Sequence, residues 1–142
     1  MKASEINFSN LTNKLEKVEI ANSQAIYNFI KIHYDLSNIE IQEEVKVALF
    51  NNGNILIGIF NLPKESIINC NIKLLLNIVL RAKSSKIILV HNHISGNINP
   101  NDVDKRITNA LKNACDIVDI KLIDHLIISK ESYYSFKDHN FL

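Results

Sequence analysis

The sequence contains few of the residues that mark disulfide-rich or membrane proteins. Its 142 residues include two cysteines, three glycines, two prolines and no tryptophan. Cys70 and Cys115 are too few and too widely spaced for a disulfide framework or a Cys-x-x-Cys site, so we expect buried thiols in a reducing compartment. No stretch approaches the roughly 18 apolar residues that predict a membrane span, and residues 1–13 lack the apolar run of a signal peptide. These absences predict a cytoplasmic protein without a membrane segment.

Excess charge of one sign is also missing. Sixteen basic and fifteen acidic residues give a net charge of +1. A nucleic-acid-binding domain usually carries a basic excess gathered on one face, so charge gives no support for a nucleic-acid partner. Hydrophobic residues make up 46% of the chain, which is ordinary for a globular protein, and the length suits one domain with its own core.

The hydrophobic pattern predicts an α/β (α+β) fold with a mixed sheet between helices. A helix is expected from about Asn22, with Ser23 near its cap, and the dipeptide Asn52-Gly53 indicates a hairpin. Residues 71–82 are almost wholly apolar, which predicts a helix packed on several sides. The remaining predicted elements are strands at 44–50, 55–60, 86–90, 121–129 and 133–136 and a helix from 101 or 102 to about 116.

Two histidines and one aspartate form the most informative pattern. His91 and His93 follow the apolar strand at 86–90, and Asp104 lies inside the next predicted helix. Side chains two positions apart on an extended chain point to the same side, so both imidazoles can face one point. The intervening loop allows the helix to bring the carboxylate there. This donor set suits zinc and leaves a coordination position open for water, as in catalytic sites.

Other interpretations of these residues are weaker but not all are excluded. Single histidines on strands are more often structural, so spacing alone leaves a structural role open. The HNH nuclease spreads its residues along a ββα unit, which three consecutive residues do not match. Zinc deaminases need His-x-Glu with Cys-x-x-Cys, and zincins need His-Glu-x-x-His; the sequence contains none of these.

The metal motif also resembles that of a known family. Residues 91–108 read HNHISGNINPNDVDKRIT and are similar to the JAMM (MPN) metalloprotease motif, and more closely to that of the RadC family. The similarity continues through IEIQEEVKVALFNNGNILIGIF, KIILVHNH, VDIKLIDHLIIS and YYSF, and so covers about 38–142. It implies a JAB/MPN (cytidine deaminase-like) architecture for 38–142, preceded by an arm and helix at 1–37.

The resemblance also assigns roles to individual residues. It implies that His91, His93 and Asp104 bind Zn²⁺ and that Glu44 is the catalytic base that deprotonates the attacking water. Glu43 is the fallback, because strand alternation places only one of the two glutamates inward.

Several positions depart from the family pattern or leave their role open. Asn101 replaces the serine that helps to bind the oxyanion; its amide can donate to such an oxygen, or its side chain can cap the helix. Ile94 replaces a proline, and Pro63 and Leu74 replace a glycine and a glutamate. Ser95 and His125 are expected to play a structural role or to support the metal or substrate, with Asp124 available to orient His125.

Three functions follow from the resemblance. The leading one is a zinc-dependent hydrolase of JAMM type that cleaves an amide, peptide or isopeptide bond in a peptide or protein substrate. The alternatives are a catalytically weak metal-binding scaffold, suggested by Asn101, and a DNA-repair-associated accessory protein. A chain of this length is expected to lack the helix-hairpin-helix region of longer family members, and the sequence leaves open whether it forms a homo-oligomer.

Overall fold

The computed structural model describes residues 17–65 and 71–142. Within them, five strands and three helices follow one another along the chain. Their bounds are α1 (Ser23–His33), β1 (Val45–Phe50), β2 (Leu56–Leu62), α2 (Ile72–Arg81), β3 (Lys86–Asn92), α3 (Asp102–Ile117), β4 (Lys121–Ile128) and β5 (Tyr133–Ser135). None of the helices in these two ranges has the length and apolar character needed to cross a membrane.

The strands form one mixed sheet in the order β2-β1-β3-β4-β5. β1 pairs antiparallel with both β2 and β3, β3 pairs parallel with β4, and β4 pairs antiparallel with β5. A parallel pair needs a crossover connection, and α3 provides it between β3 and β4. The predicted α/β class with a mixed sheet is confirmed.

Each face of the sheet is covered by a different helix set. We call the two faces the α1 face and the α3 face, and the strand residues alternate between them. The α1 face packs α1 against residues such as Ala48, Phe50, Ile88 and Val90. The α3 face packs α2 and α3 against residues such as Val45, Val47, Ile87 and Leu89. A sheet sandwiched by helices is therefore the observed architecture.

Most predicted boundaries lie within two residues of the observed ones. Asn22, one position before Ser23, is the cap of α1, since its side chain accepts a hydrogen bond from the Ala25 amide. In the β1–β2 hairpin, the residue with positive φ is Asn54 and not Gly53. β3 continues two residues beyond the predicted end and therefore includes His91 and Asn92.

One burial prediction was wrong. α2 is not packed on several sides: only Leu75, Ile78 and Val79 are buried, whereas Leu80 is 51% exposed. α2 covers the sheet from outside, so even a largely apolar helix keeps one face in solvent. Ile32 in α1 is likewise exposed. Cys115 is a buried free thiol, as predicted, and burial raises its pKa to about 11; Cys70 lies outside the described residues.

Candidate metal centre

The candidate metal centre lies where β3 ends. Along β3, Ile87 and Leu89 point to the α3 face, and His91 continues this alternation. Asn92 points to the opposite face, where its amide donates to the carbonyl oxygens of Ile39 and Gln42. His91 is fully buried, and the side chain of His93, just beyond the strand, is 16% exposed.

The first turn of α3 supplies the carboxylate. Asn101 caps the helix. Its side-chain oxygen accepts a hydrogen bond from the backbone amide of Asp104 at 2.8 Å, and its backbone amide donates to Asp104 Oδ2 at 2.9 Å. This reciprocal capping box satisfies two backbone N–H groups that the helix leaves unpaired. It also fixes the rotamer of Asp104, whose carboxylate is thereby held against β3.

The three predicted ligands converge. Nε2 of His91 lies 3.1 Å from Asp104 Oδ1, Nε2 of His93 lies 3.2 Å from Asp104 Oδ2, and the two Nε2 atoms are 3.2 Å apart. All three potential ligand atoms lie within 4.8 Å of one another, so the group is able to hold a metal ion. Such an ion would coordinate two imidazole nitrogens and one carboxylate oxygen.

Hydrogen bonding indicates which nitrogen of His93 faces the centre. Its Nδ1 lies 2.8 Å from the carbonyl oxygen of Asn97, which can only accept, so Nδ1 carries the proton. A neutral His93 therefore presents the lone pair of Nε2 to the other ligand atoms. The hydrogen bond that a protonated His93 donates to Asp104 raises the pKa of His93 against the effect of burial, and the negative charge of Glu43 adds to this rise.

Asp104 is a strong acceptor in this setting. Burial by itself raises its pKa, but the hydrogen bonds that His91 and His93 donate when they are protonated outweigh that effect and hold the pKa well below its usual range. The carboxylate is therefore ionised, and a cation placed between it and the imidazoles would be favoured.

Two further buried side chains form a line of hydrogen bonds that reaches Nδ1 of His91. Its Nδ1 lies 2.9 Å from Nε2 of His125, and Nδ1 of His125 lies 2.6 Å from Oγ1 of Thr108. The ring of His125 stacks on Phe136, with centroids 4.4 Å apart and planes inclined by 6°. Burial lowers the pKa of His125 well below its usual range, which favours its neutral form.

Asp124 does not orient the His125 ring, contrary to the sequence-based expectation. It accepts hydrogen bonds from the hydroxyl of Ser135 at 2.5 Å, from the backbone amide of His125 at 2.7 Å and from that of Lys137 at 3.1 Å. Because Asp124 and His125 are adjacent on β4, their side chains point to opposite faces of the sheet. Asp124 therefore connects β4 to the C-terminal segment, and Thr108 is the partner of the ring.

The two glutamates that precede β1 differ in placement. Glu44 forms an ion pair with Lys46 at 3.2 Å, and the Lys46 ammonium lies over the ring of Tyr34, a residue of the α1-face core. This contact places Glu44 on the face opposite His91. The pairing of Val45 with His91 continues so that Glu44 opposes Asn92, with the Glu44 amide donating to Asn92 Oδ1 at 2.8 Å.

Glu43 precedes β1 by two residues. The β1–β3 pairing begins with Val45 opposite His91, and strand alternation continued by two residues would bring Glu43 to the face of His91 and His93. The charge of Glu43 contributes to the raised pKa of His93 and also to the raised pKa of Tyr34, which belongs to the α1-face core. A groove of about 500 Å³ adjoins both glutamates, and its lining also includes Ile41, Asn61, Leu62, Pro63, Lys64 and Ile94.

The other predicted residues have more local contacts. Ser95 accepts a hydrogen bond from the Asn97 amide at 3.2 Å and so stabilises the loop after His93. In that loop Gly96 has a φ of +77°, which glycine adopts without strain. The side-chain oxygen of Asn101 accepts a hydrogen bond from the backbone amide of Asp104 in the helix cap.

Two important residues were missed from sequence. Thr108 lies four positions after Asp104 and therefore on the same face of α3, a signal that was available. Asn92 was considered only as a letter of the HNH pattern, yet it is fully buried and connects β3 to residues 39–44.

The fold and the centre together define a class: a mixed α/β domain with a His-His-Asp group able to hold a metal ion at the end of a central strand. Comparison with known proteins gives the family. A family model described as the RadC-like JAB domain matches residues 20–141, and the chain belongs to this family.

Individual relatives agree with that membership. A UPF0758 protein of Flavobacterium johnsoniae is 41% identical over 98 residues, which is 68% of this chain and 43% of that protein. A UPF0758 protein of Chlorobium chlorochromatii is 46% identical over 63 residues, or 44% of this chain and 28% of that protein. The chain thus aligns with less than half the length of these curated relatives. The predicted resemblance to the RadC family is confirmed.

Proposed function

We propose that this chain is a zinc-dependent hydrolase of JAMM type that cleaves an amide bond in a peptide or protein. The observation that carries the proposal is the convergence of His91, His93 and Asp104, whose ligand atoms lie within 4.8 Å of one another. Two imidazole nitrogens and one carboxylate oxygen fit Zn²⁺ and leave a coordination position for water or substrate. A bound zinc ion would supply a nucleophilic water near neutral pH and polarise the scissile carbonyl.

The same donor set is also found around ferrous iron. Membership of the RadC-like JAB family favours zinc over iron at this site. Metal analysis of the purified chain tests this choice directly. We expect about one zinc per chain, and finding iron at the site in protein produced in zinc-replete medium would contradict the choice of zinc.

We propose Glu43, rather than Glu44, as the general base. A base must lie within hydrogen-bond reach of the proton that it accepts. Strand alternation continued beyond Val45 would bring Glu43 to the face of His93, whereas Glu44 forms an ion pair with Lys46. Glu43 would take the proton of the attacking water and pass it to the leaving amine.

The groove beside Glu43 is the proposed substrate site. Its lining combines the side chains of Ile41 and Ile94, which are 71% and 49% exposed, with charged and amide groups. This mixture suits an extended peptide with an apolar side chain near the scissile bond. Asn101 is proposed to donate its amide to the oxyanion, because only its oxygen is used by the capping box.

A weakly active metal-binding scaffold is the second candidate. It is favoured by one observation, the replacement of the expected serine by Asn101, which has a structural task in the helix cap. The two candidates share the metal site and differ in turnover.

The adjacent glutamates provide a matched pair of variants for the test. The zinc-loaded full chain is assayed on a peptide library together with Glu43→Gln and Glu44→Gln. We expect Glu43→Gln to lower kcat by about 10²–10⁴ with unchanged zinc content, and Glu44→Gln to change it little. The reverse pattern would return the base to Glu44. Turnover that is equal in all three proteins, or absent in the unmodified one, would refute the hydrolase.

A further inference from the structure

Thr108, His125 and His91 form a buried line of hydrogen bonds that ends at the metal centre. The distances are 2.6 Å from Thr108 Oγ1 to Nδ1 of His125 and 2.9 Å from Nε2 of His125 to Nδ1 of His91. All three residues are at most 1% exposed, so water does not compete for these contacts. Nε2 of His91 is the one ring nitrogen of the line that faces Asp104 and His93.

The threonine hydroxyl gives the line a direction. Thr108 Oγ1 donates its only hydrogen to the backbone carbonyl oxygen of Asp104, 2.8 Å away, because a carbonyl oxygen can only accept. Oγ1 is then an acceptor toward His125, and Nδ1 of His125 must carry a hydrogen. A neutral His125 ring with its hydrogen on Nδ1 has none on Nε2, so Nε2 accepts one from Nδ1 of His91.

The direction of these hydrogen bonds determines the tautomer of His91. With its single ring hydrogen held at Nδ1, a neutral His91 presents the lone pair of Nε2 toward Asp104 and His93. We infer that Thr108 and His125 are positioning residues that fix this tautomer of His91 and so keep Nε2 available to a metal ion. The inference rests on the proposed metal site but not on hydrolysis. The stacking of His125 on Phe136 keeps the intermediate ring in the required plane.

Thr108 is the residue at which the inference is tested, because it contacts neither the ion nor the substrate groove. Thr108→Val removes the hydroxyl at nearly constant volume, and Thr108→Ser keeps it. Without the hydroxyl, the hydrogen on Nδ1 of His125 has no acceptor. The opposite tautomer would place the ring hydrogen on Nε2 in both His125 and His91. Loss of an outer partner of a ligating histidine typically weakens metal binding by about 10–100-fold.

The first measurement is zinc affinity of the full chain by competition with a chromophoric chelator. We expect Thr108→Val to bind zinc about 10–100-fold more weakly and Thr108→Ser to bind it almost as the unmodified chain does. Equal affinities in all three proteins would overturn the inference, as would an equal loss in both variants. His125→Gln, which keeps an acceptor oxygen for His91, should lose less affinity than His125→Leu.

The second measurement reads the tautomers directly by nitrogen-15 NMR of the unmodified, zinc-loaded chain, and it does not depend on whether a variant folds. We expect hydrogens on Nδ1 of both His91 and His125. A hydrogen on Nε2 of His125 would overturn the inference. Zinc binding with the expected tautomers but without peptide hydrolysis would refute the proposed activity and support the positioning role, whereas a chain that binds no zinc would refute both.

Discussion

Metal binding should stabilise the fold, and Asp104 should be required for this effect. The carboxylate is 2% exposed, and its oxygens lie 3.1 and 3.2 Å from the Nε2 atoms of His91 and His93. An ion that binds only the folded chain stabilises it by about 4 kcal/mol when its free concentration is 1,000 times Kd. For a chain near 150 residues, each kcal/mol raises Tm by about 2–4 °C, so the expected rise is about 8–16 °C.

The assay is thermal unfolding of chelator-treated protein with increasing zinc, followed by circular dichroism. Asp104→Asn removes the anionic ligand but retains an oxygen that can accept from the Asn101 amide, so the capping box is preserved. Asp102→Asn is the matched control, because Asp102 is an exposed acidic residue in the same first turn of α3. Both variants lose the same favourable interaction with the helix dipole.

We expect the zinc-induced rise in Tm in the unmodified chain and in Asp102→Asn, and its near disappearance in Asp104→Asn. A similar rise in Asp104→Asn would mean that zinc binds elsewhere. Absence of a rise in the unmodified chain would refute the metal site itself, and with it the hydrolytic proposal.

Two further variants test the surroundings of the centre. Asn92→Ala removes hydrogen bonds of 2.6, 2.8 and 3.0 Å to residues 39–44 and should lower the free energy of unfolding by about 2–4 kcal/mol; a loss below 1 kcal/mol in urea denaturation would contradict this estimate. Asn101→Ala should lower the free energy of unfolding by about 1 kcal/mol through loss of the helix cap and should also lower kcat. Asn101→Ser should retain both the stability and the kcat of the unmodified chain. Equal kcat in the two variants would exclude a donor role for this side chain.

The sheet and the three ligands could be predicted from sequence because both depend on residues that are close together in the chain. Apolar runs of five to seven residues identify buried strands, and His-x-His on a strand must point to one side. Asp104 lies in the first turn of the next helix, where the loop length leaves it near the end of β3. The convergence of His91, His93 and Asp104 therefore required only local geometry and the order of β3 and α3.

The choice between Glu43 and Glu44 depended on information that the sequence does not carry. The two residues precede β1, and which of them faces the metal is determined by the register of β1 against β3, with Val45 opposite His91. A shift of one residue would exchange their faces. Asn92 helps to fix this register by accepting from the Glu44 amide, a contact between residues 48 positions apart that no local pattern predicts.

The proposed metal ligands and the proposed general base come from different segments of the chain. The ligands belong to one continuous segment, 91–104, and α3 builds part of the site as it forms, because the capping box orients Asp104. The same helix turns Thr108 toward His125 one turn later. Glu43, in contrast, comes from a distant segment that β1 pairing and Asn92 hold in place. Substitutions that disturb residues 39–44 should therefore abolish turnover while zinc affinity persists, whereas substitutions in the Thr108–His125–His91 line should weaken zinc binding first.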